Sequence, residues 1–212
     1  MTHQFAAPQI GSTADLHTLD RRAEVLETLE LRWFAPGRIP NPAVSWFEAS
    51  APHVEVEERI DSYLMIGRPD IGVKRRDSGP LEVKVRRCTG RRMSVGDVLV
   101  GHVEEWHKQT RDRSPAAGER WLDVHKTVIT YPFRLAGAGG LVAGCDIELA
   151  AVRAEEVEAW TLAFEASGPR SDRMSVLRSA MEQFLADLPA GIAAALDLEA
   201  GYPAWLMQVA GL

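Results

Sequence analysis

The run Leu81-Glu82-Val83-Lys84-Val85-Arg86 alternates apolar and charged side chains without a break. Successive residues of a strand point to opposite sides, so the run reads as a strand with Leu81, Val83 and Val85 on one face and Glu82, Lys84 and Arg86 on the other. The same period governs Thr28-Leu29-Glu30-Leu31-Arg32-Trp33, whose dry face is Leu29, Leu31 and Trp33, and it recurs at Arg59-Ile60-Asp61-Ser62-Tyr63-Leu64 within a strand over 54–66. Pro36, Gly37, Pro40 and Pro42 end the first of these strands, because proline offers no N–H to a ladder. Residues 71–76 run into Asp77-Ser78-Gly79-Pro80, turn formers that predict a hairpin. Two further strands, 121–132 and 141–151, flank the Ala136-Gly137-Ala138-Gly139-Gly140 turn, and another fits 159–166.

Other segments carry the helical period. Ser94 and Asp97 form a capping arrangement ahead of Val95, Val98, Leu99, Val103 and Trp106, which predicts a helix to about Lys108. Met174, Leu177, Met181, Phe184, Leu185 and Leu188 predict an amphipathic helix ended by Pro189. Short helices are read over 16–27, around Trp46 and Phe47, over 191–198 and after Pro203, and 1–15 reads as a loose terminus ahead of a single domain over 16–212. Strands dominate the first two thirds and helices the end, so the class is α+β.

Several strands carry charge on one whole face. An open sheet would show that face to water. Alternatively the sheet curls until the charged faces line an enclosed tunnel, a closed antiparallel barrel, and the helices cover its apolar outside. Crowded like charges in such a groove need counter-charges, a metal or an anionic ligand. The distribution of charge supplies both signs: 68–92 holds nine Lys or Arg against three acids, whereas 141–212 holds four Arg against eleven acids.

The net charge of −6 argues against a general nucleic-acid binder. No apolar run approaches the roughly 20 residues that span a bilayer, no basic patch precedes an apolar stretch at the start, and Cys88 and Cys145 make no metal-ligand spacing, so a cytoplasmic location is expected. The chain has no His-Glu-x-x-His, no phosphate-loop Lys-Ser or Lys-Thr after the 137–140 glycines, and no Gly-x-Ser-x-Gly elbow.

The order of the charged strands resembles the CYTH superfamily of triphosphate tunnel enzymes, which includes tripolyphosphatases, thiamine triphosphatases and class IV adenylate cyclases. Thr28-Leu29-Glu30-Leu31-Arg32 sits where that family carries Glu-x-Glu-x-Lys, and Asp61-Ser62-Tyr63-Leu64 resembles its Asp-Thr-Tyr-hydrophobic strand. Val73-Lys74-Arg75-Arg76 resembles the paired-basic strand, Leu81-Glu82-Val83-Lys84 the strand with a single inward lysine, and the strand with Lys126 a later basic one. Asp146-Ile147-Glu148 and Leu162-Ala163-Phe164-Glu165 resemble the closing acidic strands. The chain departs from the pattern at Thr28, at Arg32 and at Val128, where the family has Glu, Lys and a basic residue.

The resemblance implies a phosphate shell of Arg32, Arg59, Lys74, Arg76, Lys84, Arg86 and Lys126, since guanidinium groups grip oxyanions bidentately and lysine acts as a point charge. It implies Glu30, Glu148 and Glu165, with Glu82 as a further candidate, as oxygen ligands of Mg²⁺ or Mn²⁺. The expected function is binding and metal-dependent hydrolysis of a triphosphorylated small molecule or inorganic polyphosphate. The alternatives are a binding module that keeps the tunnel without turnover, and an interaction protein on the same fold. A homodimer is compatible with either.

Overall fold

The computed structural model describes residues 25–77, 79–95, 99–111, 118–136 and 142–212. Their strands are β1 (Leu26–Pro36), β2 (Glu55–Leu64), β3 (Ile71–Arg76), β4 (Leu81–Val95), β5 (Leu99–Arg111), β6 (Trp121–Ala136), β7 (Val142–Ala154), β8 (Val157–Ser167) and β9 (Leu198–Glu199). Their helices are α1 (Asn41–Ser50), α2 (Arg170–Phe184), α3 (Ala190–Ala195) and α4 (Tyr202–Val209). The strands run in the order β5-β4-β3-β2-β6-β7-β8-β1, and β1 then pairs back onto β5 from Leu26 opposite Lys108 to Glu30 opposite Glu104. Every pairing is antiparallel, so the eight strands close into a barrel and leave no long free edge. The short β9 continues the β5 side of β1, at Trp33 and Phe34.

Closure buries both faces of β1 over most of its length. On β1, Leu31 and Trp33 are buried outside the barrel beneath Phe47 of α1 and Leu177, Met181 and Phe184 of α2. Thr28, Glu30 and Phe34, on the opposite face, are buried as well, because that face looks into the barrel. One end of the interior is apolar: Phe34, Val124, Val128, Ala150 and Val152 pack against Trp205 and Leu206 of α4. The Trp205 ring stacks on Phe34 at 5.0 Å. Val128, where the resemblance implied a basic residue, lies in this apolar plug.

The helix expected from Ser94 to Lys108 is instead the end of β4 and most of β5. Leu99, Gly101 and Val103 alternate as well as they fit a helical stripe, and all three are buried. As a strand the segment pairs with β4 on one edge and β1 on the other, satisfying the edge backbone groups of those two strands, which a helix in its place would leave open. Gly101 is required there, because a Cβ would sit 2.6 Å from Cζ2 of Trp33. Trp106 consequently points into the barrel and not along a helical stripe.

Leu26 and Glu27, expected at the end of a helix, begin β1, while the rest of that segment, the 1–15 terminus and the 137–140 glycines lie outside the described residues. In α2 the buried stripe is Arg173, Val176, Leu177, Ala180, Met181 and Phe184, and Met174 is exposed. Arg173 takes the place expected for Met174 because its guanidinium reaches Glu27 at 2.6 Å and ties α2 to β1. Among the described residues no helix is long and apolar enough to cross a membrane.

Candidate functional site

The barrel encloses a cavity of about 240 Å³. It is lined by Glu30, Arg32, Arg59, Lys74, Arg76, Lys84, Lys126, Glu148 and Glu165, and also by Glu82, so that of the site residues implied by the resemblance Arg86 alone is missing. Arg86 does not line it: its guanidinium is turned onto Glu104 on the neighbouring β5 and lies 5.7 Å from the Trp106 ring. A wider groove on the outside, walled by Arg38, Glu58, Ile60, His125, Arg153 and Glu158, is open to solvent. Charges there are screened, whereas those in the tunnel act at short range through poorly polarisable surroundings.

The basic wall comes from three adjacent strands, β3, β2 and β6. Asp61 on β2 is completely buried and accepts hydrogen bonds from Lys126 at 2.7 Å and Lys74 at 3.0 Å. Arg59 Nε stands 3.5 Å and Arg76 Nε 3.7 Å from its other oxygen. The register explains the convergence, because Arg59 is opposite Lys126, Asp61 opposite Arg76 and Tyr63 opposite Lys74. Burial alone would raise the Asp61 pKa, but the Lys126 and Lys74 ammonium groups overcome it and hold the carboxyl well below the ordinary range. Burial pushes Lys126 down to about 8 despite Asp61, and it also lowers Lys74, with Lys126 as an added repulsion. Arg59 Nε is buried with no hydrogen-bond partner, a donor that costs free energy until an acceptor reaches it.

The acidic wall comes from β1, β8 and β7 on the other side. Glu30 is opposite Glu165, and Glu165 is opposite Asp146, so three carboxylates stand in one row with Glu148 two residues along β7. Lys84 Nζ lies 2.5 Å from Glu30 Oε1 and 3.7 Å from Glu165 Oε2, and Arg32 donates to Glu148 at 2.9 Å. Burial works against ionised Glu148, yet Arg32 holds its pKa down to about 2. Glu165 moves the other way: burial and the neighbouring Glu30 charge raise its pKa.

Hard carboxylate oxygens suit Mg²⁺ or Mn²⁺, but the three expected ligands do not fit such an ion as they stand. Glu30 and Glu148 are each neutralised by an ammonium or guanidinium group, and Lys84 occupies the gap toward Glu165. Among the described residues, the one group of three potential ligands whose donor atoms fall within 4.8 Å of one another is Glu27, Glu105 and His107, on the outside of β1 and β5. Its Glu27 is engaged by Arg173.

Sequence reasoning gave no site role to Asp61, Trp106, Lys108 or Tyr202. Asp61 looked like part of a strand motif and not like the hub of a cation cluster, although its place between Arg59 and Tyr63 on one strand face was the available signal. Lys108 and Trp106 were hidden by the helical reading of β5; Lys108 bonds Glu82 at 3.3 Å, and the Trp106 ring lies 5.3 Å from Lys84 Nζ. Tyr202, at the start of α4, had no signal. Its ring lies 3.6 Å from Lys126 Nζ and 4.7 Å from the Arg32 guanidinium, and burial pushes its hydroxyl up to about 12.

Fold and cavity together define a closed antiparallel barrel whose interior is a tunnel of buried ion pairs. No protein-family model matches the chain, and no curated protein matches it. Among solved structures it is similar to the S. pombe Pct1 RNA triphosphatase in complex with the Spt5 CTD, at 12% identity and a TM-score of 0.36 over 81% of this chain and 80% of that one.

Proposed function

We propose that the chain is a CYTH-type tunnel protein that binds a triphosphorylated small molecule or an inorganic polyphosphate inside the barrel. One observation carries this reading: Arg59, Lys74, Arg76 and Lys126 crowd around a single fully buried carboxylate, Asp61. With Lys108 they make five cations against three carboxylates, Asp61, Glu57 and Glu82, in a place where a barrel would be more stable filled with apolar side chains. A polyphosphate supplies closely spaced oxyanions that meet the remaining donors, Arg59 Nε among them. Tripolyphosphate is therefore expected to raise the melting temperature, since a ligand bound only by the folded chain must stabilise it. Lys74→Ala is expected to remove most of that rise. A thermal screen of inorganic polyphosphates, nucleoside triphosphates and thiamine triphosphate, with and without divalent metal, makes the test, and a flat result across the whole panel would reject the reading.

Hydrolysis is a second reading, favoured by Glu165. It is the cavity carboxylate least engaged by a cation and its pKa is raised, which suits a group that takes a proton from an attacking water. Release of orthophosphate by the wild type but not by Glu165→Gln supports turnover, whereas stabilisation without release leaves a binding module.

A further inference from the structure

Glu30 is saturated with donors. The Lys84 ammonium lies 2.5 Å from its Oε1 and 2.6 Å from its Oε2, and Thr28 Oγ1 donates to Oε1 at 2.5 Å. The same ammonium faces Glu165, which is directly opposite Glu30 on the paired strand. Its position is held from β4, beneath the Trp106 ring. A magnesium ion between these carboxylates would need their oxygens at about 2.1 Å in a near-octahedral set. The ammonium fills that gap and repels a dication approaching it.

We propose that Lys84 is the tunnel's resident cation, standing where a divalent ion would otherwise bridge Glu30 and Glu165, so that the polyphosphate is held without metal. The proposal rests on the polyphosphate reading given above. It follows that the acidic wall positions Lys84 for the ligand, the carboxylates serving to keep an ammonium charged and immobile. A neutral side chain at position 84 would leave Glu30 and Glu165 uncompensated and turn the same wall into a site for a divalent ion.

The test is calorimetric titration of the full chain with tripolyphosphate, after removal of metals and in excess EDTA, and again with Mn²⁺. Binding that persists in EDTA is the result expected. Binding seen only with Mn²⁺ overturns the resident-cation proposal while leaving the polyphosphate reading standing, and binding in neither condition overturns both. Lys84→Met is expected to weaken binding in EDTA by about tenfold or more and to acquire Mn²⁺ affinity, read directly as loss of the free-ion signal in electron paramagnetic resonance. Unchanged affinity of a folded Lys84→Met in EDTA would also overturn the proposal. The wild-type titrations decide the matter even if that variant does not fold.

Discussion

At the scale of single residues, Asp61 holds the cationic wall together, because it is the fully buried carboxylate that all four basic side chains meet, whereas Glu57 reaches only Arg59 and Arg76 and Glu82 reaches Lys74. Removing one partner of a buried charged group leaves the rest uncompensated. Asp61→Asn, nearly the same size, should lower the unfolding free energy by about 3 kcal/mol, measured by urea denaturation. Tripolyphosphate should then stabilise the variant more than the wild type, because it brings the missing negative charge; equal shifts would show that the ligand lies elsewhere. Part of the charged lining was legible in the sequence, since strict alternation over 81–86 puts Lys84 and Arg86 on one face, while Lys74 and Arg76 were named through the resemblance to a paired-basic strand. What the pattern could not show is which of them is used up by a neighbouring strand. Arg86 and Glu104 meet only because β4 and β5 pair, and nothing local to Arg86 reports that.

At the scale of elements, β5 decides the fold. It pairs with β4 and with β1 and so turns an open sheet into a closed ring. Its valines, leucine and tryptophan fit two periods equally well, and the helical reading failed because the strand is specified by neighbours more than 60 residues away, as in the bond from Trp33 Nε1 to the Val100 carbonyl. Gly101 marks the tightest point of that junction. Gly101→Val places side-chain atoms into Trp33 and Leu31 and should cost about 1–3 kcal/mol in chemical denaturation. A neutral effect would mean that β5 does not pack on the outer face of β1 as described. The helices after Pro169 were easier to read because α2 buries a local stripe, Leu177, Met181 and Phe184, against the outside of the barrel.

At the scale of the whole molecule, an interior built from ion pairs makes stability depend on pH in a defined direction. Glu148, held down to about 2, and Asp61, held lower still, contribute stability that is complete above the ordinary carboxylate pKa and is lost as pH falls through their folded values. Glu165, whose folded pKa is raised, opposes this: its ionisation costs stability near neutrality, and that cost is relieved as the pH falls toward its folded value. The urea midpoint should therefore hold or rise slightly from pH 7 to about 5 and then fall steeply below about 4. Glu148→Gln should flatten the acid limb, and an identical limb in the variant would count against the Arg32 pairing.

The closed barrel was legible from charged strand faces combined with apolar ones, whereas its stopper was not, since Tyr202, Trp205 and Leu206 read as an ordinary terminal helix. With Trp205 stacked on Phe34 and α4 seated among the interior valines, the tunnel is a pouch and not a thoroughfare. A long phosphate polymer cannot be threaded through from mouth to mouth. It can present only a terminus, and whatever enters must back out along the path by which it came.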